Sequence, residues 1–340
     1  MNSQETVMLG PSTVAVPRFG FGTASLGNLF TSVSPEVATA TLNAAHGAGL
    51  TYLDTAPHYG VGLAEERVGA WLAPRDRSSV VMSTKVGRLV HEVGTDGELD
   101  GQGFVDTPRR SRSWDFSGEG IRRSLQESCQ RLGVRSIDLA LLHDPDDHRS
   151  EAFATAMPEL VRMREEGVVR AIGAGMNQAQ MLTDLVEAFP LDAVLCAGRY
   201  TLLEQGALNN LLPACQGRGT SIIIGGVYNS GLLTNPAPGA TYDYAEASPT
   251  VIEKAKRLDV VCDRFGVPLK AAAAQFPLAH PAVACVLVSG NSPQQVADNV
   301  RMIDYLIPDE LWAALREEGL IDDRAPTPVR ADPIQQDNNR

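Results

Sequence analysis

Four side chains suited to proton transfer stand at or just after the ends of apolar runs. Asp54 closes the run GLTYLD, and Tyr59 follows in a loop broken by proline and glycine. Lys85 ends the run SVVMSTK, and His143 ends the run IDLALLH. A phenol has a pKa of about 10, but a nearby buried ammonium favours the phenolate, and a carboxylate can keep that ammonium charged. With an imidazole to orient a substrate oxygen, this set suits proton transfer at a carbonyl or alcohol carbon, as hydride transfer requires.

Such chemistry needs the four side chains to converge, and the pattern of the chain predicts how they do so. Short apolar runs alternate with longer amphipathic segments from one end to the other. The runs are apolar throughout, which is typical of parallel strands covered on both faces. The predicted strands are residues 18–22, 50–56, 79–85, 137–143, 169–175, 192–198, 220–226 and 282–288.

Eight β–α units predict a (β/α)8 TIM barrel, formed as a single domain over residues 1–322. A doubly wound open sheet is the alternative, but it needs fewer strands or a visible break into halves, and no linker supplies one. Polar residues at the carboxyl ends of barrel strands face the active site, so we expect Asp54, Lys85 and His143 to meet at one mouth. Residues 323–340 are polar and proline-rich, which predicts a mobile tail.

Two connections are long enough to lie over that mouth. Residues 87–117 are rich in Gly, Asp and Arg, and a connection of this length is usually a functional lid or a disordered insert. Residues 234–247 form the second long connection. We expect substrate specificity to reside in these two segments and in the tail.

The composition limits the classes of function. The 340 residues carry a formal net charge of −12, which disfavours nucleic-acid binding. No apolar run approaches the roughly 20 residues that span a bilayer, and the first ten residues do not resemble a secretory signal. The five cysteines are scattered and form no C-x-x-C pair, which predicts reduced thiols. We therefore expect a cytoplasmic enzyme that acts on small molecules.

Five segments resemble, in order, the motifs of the aldo-keto reductases. They are LDTAPHYGVGLAEERVGAWL, STKVG, IDLALLHDPD, GVVRAIGAGMN and VLVSGNSPQQVADNV, and the resemblance covers roughly residues 14 to 318. It implies a (β/α)8 barrel that binds a nicotinamide cofactor in extended form, without a Rossmann fold. It also implies a catalytic tetrad of Asp54, Tyr59, Lys85 and His143, with Tyr59 as the group that transfers the proton.

The same resemblance implies the cofactor contacts. Asn177 matches the asparagine that binds the nicotinamide carboxamide, and Gly225 stands where relatives carry a tyrosine that stacks on the nicotinamide. Gln295 stands three residues before Asp298, where NADPH-preferring members carry an arginine. Because a cation usually pairs with a 2′-phosphate, this favours NAD over NADP. The implied cofactor-binding residues are Gly22, Thr23, Asn177, Gly225, Asn229, Ser230, Gly231, Leu232, Gly290, Gln295, Asp298 and Asn299.

Three further segments, DFSGEGIRRSLQESCQRLG, HDPDDH and GGVYNSGLL, most resemble one branch of that family. The branch contains the L-fucose, D-threo-aldose and galactose 1-dehydrogenases and pyridoxal 4-dehydrogenase. The resemblance implies oxidation of a hemiacetal carbon to a lactone with NAD(P)+, on a sugar or aldehyde substrate. The expected substrate contacts are His58, Trp114 and Tyr200.

Other interpretations remain open at this point. One is a general NADPH-dependent aldehyde or ketone reductase with the same fold, and another is a non-catalytic, cofactor-sensing subunit. A third is a barrel lyase that either forms a Schiff base with its substrate through Lys85 or depends on a metal ion. The segment HDPDDH has the residue types of a metal site, but no other strand end supplies a histidine, so we expect no metal.

Overall fold

The computed structural model describes residues 5–94, 101–243 and 245–329. Eight parallel strands pair in chain order, and the last pairs with the first, so that the sheet closes into a barrel. The predicted (β/α)8 barrel is confirmed, and each of the eight predicted strands is present. Strands β1 to β8 are Phe19–Gly22, Tyr52–Asp54, Val81–Val86, Leu139–His143, Ala171–Met176, Ala193–Ala197, Ser221–Gly225 and Val283–Ser289.

Helices follow the strands and cover the outside of the barrel. The helix Pro35–Gly47 begins where the Ser34 hydroxyl accepts a hydrogen bond from Val37 N, and the helix Gly118–Leu132 ends at Gly133 in the left-handed conformation. Helices α1 to α10 are Pro35–Gly47, Leu63–Leu72, Gly118–Leu132, Met157–Glu165, Ala179–Ala188, Leu211–Arg218, Pro249–Arg264, Leu269–Gln275, Pro293–Ile303 and Asp309–Glu317. Shorter helical turns are Ala24–Gly27, Arg77–Ser79, Asp146–His148, Arg149–Glu151, Ala152–Ala156, Gly206–Leu208 and Phe276–Ala279.

The strand register decides which side chains reach the mouth of the barrel. On β4, Leu139 and Leu141 pack in the apolar cluster inside the barrel, while Ala140 and Leu142 pack between the barrel and the helices. Alternation along the strand places His143 on the inner set. A slip of one residue would turn this whole set outward, so burial of the leucines fixes the orientation of the imidazole.

Neighbouring strands follow the same rule. Tyr52 of β2 belongs to the inner cluster and Leu53 to the outer one, so Asp54 is on the inner set. On β3, Val81 packs against the inner cluster and Met82 lies in the outer one, which places Lys85 on the inner set. The carboxylate and the ammonium therefore face the barrel axis because apolar residues two or more positions earlier do so.

An antiparallel hairpin, Thr6–Met8 with Ala15–Pro17, closes the amino-terminal end of the barrel. Its connection buries Leu9 and Val14 completely against the inner cluster. Each such side chain contributes roughly 1.5–3 kcal/mol by leaving water. No pattern noted in the sequence predicts this hairpin.

The long connection after β3 is a second antiparallel hairpin, Arg88–Glu92 with Arg110–Trp114, called here the lid hairpin. Residues 95–100 of the predicted lid lie outside the described residues. The connection after β7 contains a shorter pair, Thr241–Tyr242 with Ala245–Glu246. Residues 330–340 are also outside the described part, so the mobile tail and the domain boundary at residue 322 remain predictions. No described helix is long and apolar enough to cross a membrane.

Candidate active site

The carboxyl ends of β2, β3 and β4 bring the four predicted catalytic residues together. The Nζ of Lys85 lies 2.7 Å from Oδ2 of Asp54 and 4.8 Å from the ring centroid of Tyr59. The rings of Tyr59 and His143 meet edge to face, with centroids 6.1 Å apart. The loop after β2 thus returns the phenol to the mouth where the three strand ends converge.

Lys85 and Asp54 form a buried ion pair, with 2% and 3% of their side chains exposed. Lys85 also donates to the Thr55 carbonyl at 3.0 Å, and Oδ1 of Asp54 accepts from Ser83 Oγ at 2.7 Å. Burial by itself would lower the pKa of Lys85. The charges of Asp54 and Tyr59, and hydrogen bonds to both, outweigh burial and raise the pKa above its ordinary value. Lys85 is therefore a cation at neutral pH.

His143 is buried and neutral at the same mouth. Burial, followed by the positive charges of Arg88 and Lys85, holds its pKa well below the ordinary value. Its Nε2 lies 3.4 Å from Oδ2 of Asp144, and its Nδ1 is buried with no hydrogen-bond partner in the part of the chain that the structure describes. A buried nitrogen of this kind is costly to leave unpaired.

A second polar cluster lies beside these four residues and joins the lid hairpin to the mouth. Nδ1 of His58 accepts from Arg88 Nη1 at 3.0 Å and from Arg112 Nη1 at 2.6 Å. Arg88 also donates to Asp144 Oδ2 at 2.7 Å. Burial, followed by the charges of both arginines, lowers the pKa of His58 to about 2. His58 is a predicted substrate contact, and Asp144 belongs to the segment HDPDDH considered above as a metal site, whereas no local pattern in the sequence singles out either arginine.

A cavity of about 590 Å³ opens between these groups. Its wall includes Tyr59, Lys85 and His143 from the predicted tetrad, together with His58 and Asn177. The volume lies within the range of small-molecule sites. The cavity therefore has room for a small ligand in contact with the phenol.

Two of the predicted substrate contacts do not line this cavity. Trp114 stacks on Phe116, with centroids 5.3 Å apart, and the Arg88 guanidinium lies 3.8 Å from the centroid of its ring. Tyr200 is fully buried and packs against Phe276 at 5.6 Å. The chain turns outward after β6, which directs Tyr200 toward the helices. Trp114 and Tyr200 thus lie outside the cavity wall, and the proposed mechanism uses neither as a substrate contact.

Arg199, the residue before Tyr200, lines the cavity instead. It forms a two-point ion pair with Asp243 of the connection after β7, at 3.0 and 2.6 Å. The partners are 44 residues apart, so local sequence patterns do not reveal the pair.

The predicted cofactor contacts lie at the ends of β1, β5, β7 and β8. Asn177 follows β5 at the cavity wall. After β7, Asn229, Ser230 and Gly231 all have left-handed backbone, with φ of 47°, 57° and 92°, and they curve the loop tightly. The Asn229 amide is already engaged, since it donates to the Gly198 carbonyl at 3.2 Å and accepts from Thr201 Oγ1 at 2.8 Å. Asn229 therefore shapes this loop from within.

The remaining predicted contacts lie after β8 and along α9. The Asp298 carboxylate binds both Lys270 and Arg301, and Lys270 comes from the neighbouring helix α8. The Oε1 of Gln295 accepts from Asn291 N at 2.9 Å. Lys270 and Arg301 thus lie near this segment, although the segment VLVSGNSPQQVADNV itself contains no Lys or Arg.

The groups present fit a nicotinamide dinucleotide. The Asn177 amide and the Lys85 cation belong to the wall of the same cavity. Gly22 leaves open space, because a Cβ there would meet no atom closer than 3.9 Å. Within the described residues, no group of three or more His, Cys, Asp or Glu side chains is arranged to hold a metal ion.

The sequence model of the Aldo/keto reductase family matches residues 18–318. The chain belongs to this family. It is similar to D-threo-aldose 1-dehydrogenase from Pseudomonas sp, with 44% identity over 93% of this chain and 96% of that protein. It is also similar to pyridoxal 4-dehydrogenase from Microbacterium luteolum, with 38% identity over 94% of this chain and 99% of that protein.

The fold agrees with this assignment. A holo-form aldo-keto reductase from Bacillus halodurans superposes with a TM-score of 0.72 and 25% identity, over 92% of this chain and 95% of that chain. As a member of the aldo/keto reductase family, the protein is an oxidoreductase that acts on CH–OH or carbonyl groups with a nicotinamide cofactor. The family assignment favours this activity over a lyase or a non-catalytic subunit.

Proposed function

We propose that this protein is an aldose 1-dehydrogenase of the D-threo-aldose or L-fucose type, which oxidises a hemiacetal carbon to a lactone. The observation that carries the proposal is the buried Lys85–Asp54 pair, held 4.8 Å from the centre of the Tyr59 ring at the wall of a 590 Å³ cavity. The 44% identity to a D-threo-aldose 1-dehydrogenase supports the substrate class.

In the proposed mechanism, Tyr59 takes the proton of the anomeric hydroxyl as the C1–O bond becomes a carbonyl. The Lys85 cation stabilises the phenolate, and Asp54 keeps Lys85 charged in its buried position. His143 orients the substrate oxygen by hydrogen bonding, and it does so as a neutral imidazole. The bound nicotinamide cofactor supplies the hydride acceptor for C1. Acid–base catalysis of this kind typically contributes 10²–10⁴-fold to the rate.

We further propose NAD(H) as the preferred cofactor. Gln295 provides no positive charge, and Lys270 and Arg301 are both bound by the Asp298 carboxylate. A 2′-phosphate would have to compete with that carboxylate for the two cations. NADP(H) therefore gains little binding free energy from Lys270 and Arg301.

Fluorescence titration tests this preference. We expect NADH to bind at least about tenfold more tightly than NADPH. Asp298→Ser should reduce the difference in affinity between NADH and NADPH, because it frees Lys270 and Arg301 to bind a 2′-phosphate. Asp304→Ser is the matched control, since Asp304 is an exposed acid at the end of the same helix. Tighter binding of NADPH by the unaltered protein would overturn the proposed preference.

A substrate panel tests the reaction. L-fucose, D-arabinose, galactose, pyridoxal and simple aldehydes are each assayed with both cofactors and in both directions. We expect NAD+-dependent oxidation of aldoses, with a lactone identified by NMR. Activity confined to NADPH-dependent reduction of simple aldehydes would replace the proposal by a general reductase. A preference for pyridoxal is the second candidate, which the 38% identity to pyridoxal 4-dehydrogenase favours.

A further inference from the structure

We propose that Arg88 and Arg112 are positioning residues that fix His58 as a hydrogen-bond donor to a substrate hydroxyl beside the reacting carbon. The inference rests on the proposed function insofar as that function supplies a hydroxylated substrate. It assigns a specificity role to the lid hairpin, which carries both arginines.

The tautomer of His58 follows from its partners. Arg88 and Arg112 approach the same ring nitrogen, Nδ1, at 3.0 and 2.6 Å. A guanidinium has only donors, so Nδ1 must be the acceptor. A neutral imidazole with an accepting Nδ1 carries its hydrogen on Nε2. The two cations thus decide which edge of the ring can donate.

The arginines are held in place independently of any ligand. The guanidinium of Arg88 also binds Asp144 at 2.7 Å and lies on the face of Trp114. Arg112 makes a further hydrogen bond to the His58 carbonyl at 3.1 Å. Arg88 pairs with Trp114 across the lid hairpin and Arg112 pairs with Val90, so both arginines project from the same face.

The donating edge of His58 is open to the cavity. The ring lines the cavity and packs against Phe104 and His143, with centroids 5.4 and 5.6 Å away. The hydrogen bonds described for the ring both involve Nδ1, and within the described part of the chain no atom of His58 is among the buried polar atoms without a partner. Neighbouring positive charge polarises the ring and strengthens this N–H as a donor.

The location specifies which hydroxyl is contacted. The His58 ring lies 6.2 Å from the Tyr59 ring and 5.6 Å from the His143 ring, centre to centre. An oxygen held between Tyr59 and His143 therefore has His58 beside it. Asp144 also lines the cavity and offers a complementary acceptor. A polyhydroxylated substrate satisfies both groups, whereas a simple aldehyde satisfies neither.

The first test compares two aldehydes of equal carbon number in the reduction direction with saturating cofactor. Glyceraldehyde carries hydroxyls beside the carbonyl, and propanal carries none. We expect His58→Phe and Arg112→Met each to lower the glyceraldehyde-to-propanal ratio of kcat/KM by about tenfold, mainly through KM. In both variants kcat/KM for propanal should fall less than kcat/KM for glyceraldehyde, because propanal has no hydroxyl that could lose this contact.

Arg110→Met is the matched control. Arg110 lies on the same hairpin and donates to Glu92, Glu66 and the Val61 carbonyl rather than to the His58 ring. Its removal loosens the lid hairpin without altering the tautomer, so the ratio should stay near that of the unaltered protein. An unchanged ratio in His58→Phe and Arg112→Met, or an equal fall in Arg110→Met, would overturn the proposal.

The second test observes the tautomer directly by ¹⁵N NMR of the histidine side chains. We expect His58 to show the neutral Nε2–H form from pH 5.5 to 8.5, and the double variant Arg88→Met with Arg112→Met, which removes both donors to Nδ1, to admit the other tautomer or a protonated form. An Nδ1–H form in the unaltered protein would contradict the inference. This measurement needs no turnover. A protein active on simple aldehydes but not on sugars would refute the proposed function and leave both tests of His58 in force.

Discussion

Replacing Asp54 by asparagine removes a charge from a buried pair and keeps the shape of the side chain. Lys85 would then remain buried, with the Thr55 carbonyl at 3.0 Å and the Tyr59 hydroxyl as remaining partners. Removing one partner of a buried pair typically costs about 3–5 kcal/mol, because the other charge is left uncompensated. We expect a loss near 3 kcal/mol for Asp54→Asn, and a similar loss for Lys85→Met, where Asp54 keeps its bond from Ser83.

The double variant Asp54→Asn with Lys85→Met should recover most of the stability, because neither charge is then stranded. Neutral replacement of a buried pair is often without net cost, so we expect the double variant within about 1 kcal/mol of the unaltered protein. The implied coupling is about 5 kcal/mol. It agrees with the attraction of about 6 kcal/mol between unit charges 2.7 Å apart at an effective dielectric constant of 20.

Urea denaturation at pH 7, followed by circular dichroism, measures the four free energies of unfolding. Losses that simply add in the double variant would show that the two groups are not coupled, and would refute the reasoning on stability. Turnover separates stability from chemistry. All three variants should lose most activity, including the double variant that folds well. An Asp54→Asn variant with an unaltered rate and pH profile would refute the role assigned to the charge.

Three further predictions concern the phenol, a histidine and the barrel wall. Tyr59→Phe should lower kcat by about 10³-fold and leave NADH affinity unchanged in a fluorescence titration, because it removes the proton route alone; a rate within tenfold of the original would contradict it. The pKa of His58 is about 2 in the folded protein, whereas an unperturbed histidine has a pKa of about 6.5. Below about pH 6.5 only the unfolded chain therefore binds this proton, and the free energy of unfolding falls as the pH falls. Between pH 7 and pH 5 the free energy of unfolding should fall by about 2 kcal/mol because of His58. In His58→Asn this contribution should be absent when urea unfolding is compared at the two pH values. A Cβ at Gly173 would lie 1.7 Å from the Ala193 carbonyl oxygen, whereas one at Gly175 would meet nothing closer than 3.5 Å; Gly173→Ala should therefore prevent normal folding and Gly175→Ala should be tolerated, as thermal denaturation would show.

The sequence by itself determined the barrel and the meeting of the four residues. Apolar runs without alternation indicate parallel strands, and parallel strands in a barrel end at one face. Asp54 and His143 are the last residues of β2 and β4, and Lys85 is the last but one of β3, so topology alone brings them together. Tyr59 is only five residues beyond Asp54, which keeps it at the same mouth. Local patterns suffice here because alternation fixes side-chain direction up to the end of each strand.

Beyond the strand ends, only the tertiary structure decided what faces the cavity. Alternation no longer applies there, so the sequence could not show that Arg199 lines the cavity while Tyr200 packs against the helices. The pairs that matter also join distant segments. Lys270 meets Asp298 28 residues later, and Arg88 meets Asp144 56 residues later. Each contact depends on how helices and the lid hairpin pack on the barrel, and packing is a long-range property that no local spacing encodes.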